Sequence, residues 1–364
     1  MTTKMISFMK HTKDRMANPL SLAEIKQLVA LAKEVGATHC EVATVAGHVN
    51  FKAHSKMWAD EIHNAGMKVT WRCAHVNMEG LYGQPKYVGA GRVPVQFWVD
   101  KSGDMIRDLQ GVIQGGDEWA IYPERTEGIF QDSTSWLWPN DPTTYANAFL
   151  AIHKGMETMI EKPAGLVLGL SANNASELMS GWMPASLVNY AGVAVIDHYV
   201  DGDPVKFEAD VRNIKTKYGK PVYVQEGAPN RFTKPTYDQA KAYFNVCKKL
   251  ADEGILSGFG SWSGWAGTPE AIFNYSAGIW SLNEQGQALK EWWASTPVPT
   301  PIPEPIPEPT PEPEPIPEPT PMPEIPNLDI LQKHSEMLRQ ATVIVFDTGT
   351  LTFKVNKLKE LFRQ

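Results

Sequence analysis

Residues 220–230 read Lys-Pro-Val-Tyr-Val-Gln-Glu-Gly-Ala-Pro-Asn. The run Pro221–Gln225 predicts a short buried strand that stops at the carboxylate of Glu226. Because a glycine follows at position 227, we expect the backbone to turn away there while the acid projects from the strand end. The stretch therefore predicts a carboxylate at the end of a buried strand.

A second stretch of this kind lies roughly a hundred residues upstream. It reads Asp-Glu-Trp-Ala-Ile-Tyr-Pro-Glu over residues 117–124 and ends at Glu124. In a chain that alternates strands with helices, two strand-terminal glutamates at this separation predict two acids that face each other across a barrel mouth.

Hydrophobic periodicity predicts eight strands within residues 1–296, each followed by a segment of helix length. The predicted strands are Met5–Met9, Thr38–Val45, Lys68–Cys73, Trp119–Tyr122, Gly165–Ser171, Gly192–Tyr199, Pro221–Gln225 and Ile255–Trp262. The fifth is apolar throughout, which is typical of a strand buried on both faces. Strict alternation predicts an α/β fold with a parallel sheet, and the count of eight favours a closed (β/α)8 TIM barrel. An open doubly wound sheet is the competitor, although no G-x-G-x-x-G sequence follows the first strand.

The barrel is followed by a proline-rich segment and a short tail. Residues 297–326 repeat Pro-Glu-Pro-Ile/Thr units, which predicts a semi-rigid polyproline II spacer of roughly 90 Å. Residues 327–364 are predicted to form a helix, a hairpin and a last helix, too few residues for a sizeable core. We expect this tail to oligomerise or to dock on a larger assembly; the alternative is a weakly ordered tag without a role.

Composition argues against several classes of partner. The 364 residues have a formal net charge of -7, which disfavours a nucleic-acid partner, and no apolar run approaches a membrane span of roughly 20 residues. The first residues lack the apolar run of a secretory signal, so we expect synthesis in a cytoplasm. The three cysteines, Cys40, Cys73 and Cys247, lack metal-ligand spacing and are expected to be reduced. No metal or cofactor is expected.

In a parallel barrel, the residues that end the strands converge on one face. The candidates are Glu41, Arg72, His75, Glu124, Asn173, His198, Tyr199, Glu226, Trp262 and Trp265, with Trp136 and Trp138 in a loop that forms either a platform or an anchor. Two carboxylates with arginine, histidine, tyrosine and tryptophan suit glycoside cleavage, in which one carboxyl protonates the leaving oxygen and the other acts at the anomeric carbon.

These motifs resemble those of the clan A glycoside hydrolases. Trp-Ala-Ile-Tyr-Pro-Glu124 is similar to that clan's Trp-Glu-Ile-Gly-Asn-Glu, and Pro-Val-Tyr-Val-Gln-Glu226-Gly to its strand-seven motif. Asp197-His198-Tyr199 resembles the sixth-strand His-Tyr, and Phe259-Gly-Ser-Trp262-Ser the eighth-strand tryptophan that lies under the sugar. The resemblance covers the whole barrel.

The resemblance implies a retaining glycosidase in which Glu226 is the nucleophile and Glu124 the acid/base. It also implies carboxyl groups about 5 to 5.5 Å apart, a raised pKa for Glu124, and an ionised Glu226 held by Arg72 or Tyr199. One departure is Pro123, which replaces the asparagine that holds the sugar 2-hydroxyl in the clan.

Several residues have alternative roles. Glu118 and Glu127 are rivals of Glu124 for the acid/base position, and Glu41 is better explained as a structural partner of Arg72. His75 and His198 are interpreted either as sugar ligands or as hydrogen-bonded core histidines.

Three functions remain open from the sequence. The first is a glycosidase acting on a polysaccharide or cell-surface glycan, and the missing signal and the rigid spacer would suit a phage-encoded lysin or depolymerase. The second is a non-catalytic glycan-binding or virion-associated structural protein, which Pro123 favours. The third is an aldolase-type lyase, disfavoured because no lysine ends the sixth strand.

Overall fold

The computed structural model describes residues 3–72, 95–120, 142–159, 162–169 and 173–295. The chain divides into two compact units, Met1–Val298 and Pro299–Gln364, and every described residue belongs to the first. The predicted spacer (297–326) and tail (327–364) lie outside the described residues.

Strands and helices alternate along the first unit. The strands are β1 (Thr3–Ser7), β2 (His39–Val42), β3 (Lys68–Trp71), β4 (Glu118–Ala120), β5 (Val167–Gly169), β6 (Asn173–Asn174), β7 (Ala194–Tyr199), β8 (Val222–Ala228), β9 (Leu256–Trp262), β10 (Phe273–Ser276) and β11 (Ile279–Leu282). The helices are α1 (Met9–Lys13), α2 (Leu22–Val35), α3 (Phe51–Asn64), α4 (Val95–Asp108), α5 (Pro142–Glu157), α6 (Ala175–Ser180), α7 (Ala185–Ala191), α8 (Pro204–Tyr218), α9 (Tyr237–Asp252) and α10 (Glu284–Ser295). Among these helices, none combines the length and the apolar composition that a membrane crossing requires.

The main sheet is parallel and curls into a barrel. Its strand order is β5-β4-β3-β2-β1-β9-β8-β7-β6, so the first strand lies between the second and the last strand of the sheet. The two ends of this order, β5 and β6, are only four residues apart along the chain, a distance of at most about 14 Å. Together they occupy the fifth of eight strand positions. The (β/α)8 prediction is confirmed, and the open doubly wound alternative is excluded.

Side chains that alternate along each strand divide the barrel into an outer apolar core and a polar interior. Outward residues such as Ile6, Val69 and Phe259 pack under the helices, where they meet Leu28, Trp58 and other buried apolar side chains in one continuous cluster. Inward residues on the same strands are polar towards the carboxyl ends of the strands. The site described below occupies that end of the interior.

Local sequence signals fix the helix ends. Ser21 accepts a hydrogen bond from the Glu24 backbone N–H, and Glu24 accepts one from the Ser21 N–H, so α2 begins with a capping box. Gly36 ends α2 with a φ of 95°, in the left-handed region that glycine tolerates.

Two expectations about strands were wrong. Val167, the first residue of β5, has 54 % of its surface exposed, so the fifth strand is not buried on both faces at its amino-terminal end. The strand around Glu226 does not stop at Gln225 but continues to Ala228. Its extra length places Glu226 inside the strand.

The β10–β11 hairpin was not predicted. Its turn residues, Ala277 and Gly278, have φ values of 50° and 81°, as a type I′ turn requires. An alanine in that conformation gives a weak sequence signal, because Asn, Asp or Gly is usual there.

Candidate active site

A β-bulge in β8 turns Glu226 into the barrel. On β7, Ile196 pairs with Val224 and Asp197 with Glu226, so Gln225 is an extra residue on β8. The pairing with β9 shows the same irregularity, since Val224 pairs with Phe259 and Gly227 with Ser261. Tyr223 faces the interior, where its hydroxyl contacts the Met5 sulfur at 3.5 Å. Without the bulge, strict alternation would place Glu226 on the opposite face from Tyr223.

Two glycines make room for this backbone path. A Cβ on Gly260 would lie 2.0 Å from the Gln225 carbonyl oxygen, and a Cβ on Gly227 would lie 2.8 Å from the Phe259 ring. Gly227 therefore serves close packing within a continuing strand, and not the turn expected from the sequence.

Both oxygens of the Glu226 carboxylate accept hydrogen bonds. The Arg72 guanidinium donates to Oε1, and the Tyr199 hydroxyl donates to Oε2 over 3.1 Å. Glu226 is 6 % exposed and Arg72 is 4 % exposed. The sequence expectation that Arg72 or Tyr199 would hold Glu226 is met by both residues in the structure.

A second carboxylate supports Arg72 from the other side. Oε1 of Glu41 lies 3.6 Å from a guanidinium nitrogen of Arg72. Oε2 of Glu41 accepts a hydrogen bond from the Ser7 hydroxyl. Burial raises the pKa of Glu41; Arg72 opposes the shift, and Glu226 adds to it. Glu41 is thus the structural partner of Arg72 that the sequence indicated. Ser7 was not predicted, because a lone serine in a short apolar strand gives no functional signal.

Glu118 lies deeper in the interior. It begins β4 and pairs with Thr70 of β3, which lies two residues before Arg72 in the sequence. The Thr70 hydroxyl donates a hydrogen bond to Oε2 of Glu118 over 3.4 Å. Burial raises the pKa of Glu118 to about 7; the Thr70 hydrogen bond lowers it and Glu41 raises it further. Burial also raises the pKa of Tyr223 well above its ordinary value, with Glu118 and Glu41 contributing. The interior below Glu226 therefore holds buried ionisable groups whose pKa values are raised chiefly by burial.

The two tryptophans at and just beyond the end of β9 have different surroundings. Trp262 ends β9 opposite Ser7 of β1, with the Lys10 ammonium 6.0 Å from its ring centroid. Trp265 packs between His11, at 5.0 Å between ring centroids, and the Arg15 guanidinium, at 4.7 Å. Trp262 is therefore the better placed of the two to contact a ligand near Glu226, while Trp265 anchors α1.

His198 does not accompany Tyr199 into the interior. Its Nε2 lies 3.0 Å from the Asp210 carboxylate, and its ring stacks on Phe207 at 5.5 Å, both on α8. Alternation along β7 explains this, because neighbouring residues point to opposite faces. The structure thus favours the core interpretation of His198 over the sugar-ligand one.

Three other predicted site residues lie outside the described part of the chain, and for a fourth, Asn173, the structure describes the strand position. Glu124, His75 and Trp136 lie outside the described residues, as do Glu127 and Trp138. Glu124 follows Ala120, the last residue of β4, by four positions. Asn173 begins β6 and pairs with Ile196 of β7. It therefore lies on the strand next to the one that carries Tyr199.

Comparisons with known proteins support the fold. No protein-family model matches the chain, and no curated protein sequence matches it significantly. Among solved structures, a GH5_18 protein from Streptomyces cattleya in complex with GlcNAc is 11 % identical, with a TM-score of 0.56 and 82 % of each chain covered. An endo-β-1,4-glucanase from Xanthomonas axonopodis pv. citri is 11 % identical, with a TM-score of 0.53, covering 80 % of this chain and 98 % of that one.

A Bacillus sp. GH26 endo-β-1,4-mannanase gives a similar result, at 13 % identity and a TM-score of 0.51, covering 80 % of this chain and 85 % of that one. The common feature of these matches is the barrel fold. The chain therefore has the (β/α)8 fold found in clan A glycoside hydrolases.

Proposed function

We propose that this chain is a retaining glycoside hydrolase in which Glu226 is the nucleophile. The observation that supports the proposal most directly is the arrangement of Glu226 itself. It is the one glutamate that the β8 bulge turns into the barrel, and each carboxylate oxygen is held by a donor, Arg72 or Tyr199. A nucleophilic carboxylate must be fixed in direction, and these two hydrogen bonds orient it.

In the first step, a Glu226 oxygen attacks the anomeric carbon while the bond to the leaving oxygen breaks. The carboxylate loses its negative charge as the glycosyl ester forms. After this step Arg72 still has the Glu41 carboxyl group as a partner, 3.6 Å away. The Ser7–Glu41–Arg72 chain thus keeps the guanidinium in place during both halves of the reaction.

Glu124 is the proposed acid/base. It donates its proton to the leaving oxygen, and in the second step it removes a proton from the water that cleaves the glycosyl ester. The proposal rests on its place in the sequence, four residues beyond Ala120 of β4. Glu118 is a poorer candidate for this role, because it begins the strand and lies at the depth of Thr70.

The proposed substrate is a polysaccharide or a cell-surface glycan. Trp262 would contact the sugar at the cleavage point, and Asn173, His75 and Trp136 remain proposed sugar contacts. We interpret the spacer and tail as an attachment module. On this interpretation the chain is a phage-encoded lysin or depolymerase that acts outside the cell or as part of a phage particle.

One sequence feature supports a second candidate. Pro123 stands where the clan has an asparagine that binds the sugar 2-hydroxyl. Loss of that contact would suit a glycan-binding protein that keeps the barrel without the chemistry.

Hydrolysis measurements separate the two candidates. The full chain is assayed on a panel of β-linked glycans and bacterial cell walls, beside E226Q and E124Q. E291Q is the matched control, because Glu291 is an exposed carboxylate on α10. It accepts a hydrogen bond from the Tyr237 hydroxyl and forms an ion pair with Lys241. Cleavage that E226Q and E124Q remove and E291Q preserves supports the glycosidase. Binding without cleavage, unaffected by either glutamate substitution, supports the second candidate.

A further inference from the structure

We propose that Arg231 and Phe232 form a sugar-binding subsite beside Glu226, and that the subsite selects a sugar ring carrying a carboxylate. The proposal rests on the proposed function, since it assigns a substrate class to the same site. Both residues lie in the segment between β8 and α9, on the face of the barrel where the strands end.

Hydrogen bonds fix the segment that holds these residues. The Asn230 side-chain oxygen accepts from the backbone N–H groups of Phe232 and Thr233, over 2.8 and 2.9 Å. The Pro229 carbonyl accepts from the Gly202 N–H over 2.8 Å, which ties the segment to the one that follows β7. A ligand would therefore meet a preformed surface at a small entropic cost.

The Arg231 guanidinium is held by ring contacts and not by hydrogen bonds. Its central carbon lies 4.5 Å from the Tyr199 ring centroid and 5.4 Å from that of Phe232. Its charged contact is with Asp201, at 3.9 Å, beyond hydrogen-bond distance. The side chain is 47 % exposed and makes no hydrogen bond to any residue that the structure describes. Its N–H donors are therefore oriented and available to a ligand.

Phe232 supplies the apolar part of the subsite. It is 72 % exposed, whereas phenylalanine is among the residue types most often buried. An exposed aromatic ring beside an oriented guanidinium can stack on the apolar face of a pyranose ring while the cation meets its oxygens.

The subsite adjoins the proposed nucleophile. The ring of Tyr199 supports Arg231, and the hydroxyl of Tyr199 donates a hydrogen bond to the Glu226 carboxylate. Along the sheet, Trp262 ends β9 and Tyr199 ends β7, and Glu226 lies near the carboxyl end of β8 between them. Neighbouring strands are about 4.8 Å apart. A glycan that runs from Trp262 across Glu226 would place the next sugar over Tyr199, within reach of Arg231.

The chemistry of Arg231 favours a carboxylate. A guanidinium has only donors, arranged as a planar fork that matches a carboxylate through two parallel hydrogen bonds. Sugar hydroxyls can also accept hydrogen bonds from the guanidinium, but they carry no negative charge to match its positive one. A uronic acid next to the cleaved residue fits the subsite better than a neutral sugar.

Isothermal titration calorimetry on full-length E226Q tests the subsite without turnover. The probes are hexamers of galacturonate, mannuronate and hyaluronan, with cellohexaose as the neutral comparison. We expect at least one uronate probe to bind about tenfold or more tightly than cellohexaose, and R231Q to remove that preference, since hydrogen bonds to charged groups are strong. F232A should weaken that uronate probe about threefold or more.

Two controls match these variants. Arg107 is an exposed arginine on α4 paired with Asp104, and Tyr190 is an exposed aromatic residue on α7; R107Q and Y190A should leave binding unchanged. The subsite is refuted when no uronate outbinds cellohexaose, or when the preference survives R231Q.

Hydrolysis by the unsubstituted chain separates this proposal from the proposed function. Arg231-dependent uronate binding without any hydrolysis would refute the glycosidase and keep the subsite. Glu226-dependent cleavage of neutral glycans alone, without a uronate preference, would refute the subsite and keep the glycosidase.

Discussion

Arg72 reaches across the barrel to Glu226. Arg72 follows β3 and Glu226 lies on β8, four positions away in a ring of eight, so the two residues come from opposite walls of the barrel. Their contact fills the interior at the level where the strands end, with Glu41 and Tyr199 on either side. The site is therefore assembled from β2, β3, β7 and β8, and each of these strands fixes one polar group.

Removing Arg72 should destabilise the fold. R72M would leave Glu41 and Glu226 buried without their shared cation, so we expect the free energy of unfolding at neutral pH to fall by about 3 kcal/mol. Chemical denaturation measures this quantity. R72K keeps the charge and should lose less; equal losses for both variants would contradict a role for the charge.

Tyr199 and His198 should behave differently although they are adjacent. Y199F removes one donor to Glu226, and we expect kcat/KM to fall roughly tenfold or more while the fold is kept. H198Q disturbs the contact with Asp210 on α8, and should lower thermal stability without changing kcat/KM. A larger kinetic effect for H198Q than for Y199F would show that His198 belongs to the site after all.

Glu118 should make stability depend on pH. Its pKa is raised to about 7 from an ordinary value of 4.5, so the folded chain keeps a proton that the unfolded chain loses between these values. Stability from this group is therefore present below about pH 4.5 and declines as pH rises to about 7. Relative to E118Q, the wild-type chain should lose on the order of 3 kcal/mol between pH 4.5 and 8.

Comparison with E118Q isolates this residue, because Glu41 is present in both proteins. Denaturation curves at pH 4.5, 6 and 8 supply the measurement. A constant difference between the two proteins across this range would show that Glu118 is not perturbed as described.

The bulge can be tested through Gly260. G260A places a methyl group where the Gln225 carbonyl lies, and we expect a loss of about 2 kcal/mol or more in stability together with a loss of activity, because the bulge must shift. G103A, on α4, meets only the flexible end of Met159 and should be neutral or stabilising. Full activity in G260A would contradict the link between the bulge and Glu226.

Sequence patterns predicted the barrel because its signals are local. Apolar strands and capped helices, such as α2 behind Ser21, alternate regularly enough to imply a parallel sheet. The motif around Glu226 and the Asp197–Tyr199 segment also identified the strands that supply the site.

The orientation of individual side chains was less accessible. The bulge at Gln225 decides which face Glu226 occupies, and a bulge depends on pairing with two other strands. The sequence does not show which of the adjacent residues His198 and Tyr199 faces the interior, and alternation along the strand places them on opposite faces. Val167 is exposed because of its place at a strand end, which its own apolar character does not reveal.

The central claim is that Glu226 attacks the sugar. The most direct measurement is covalent trapping, in which the full chain is incubated with 2-deoxy-2-fluoro glycosides that carry a good leaving group and have the stereochemistry of a cleaved substrate. These reagents slow the second step, so the glycosyl ester accumulates. Peptide mass spectrometry should find the sugar on Glu226, and E226Q should remain unlabelled. An ester on another carboxylate, or hydrolysis that proceeds with no ester on Glu226, would contradict the account.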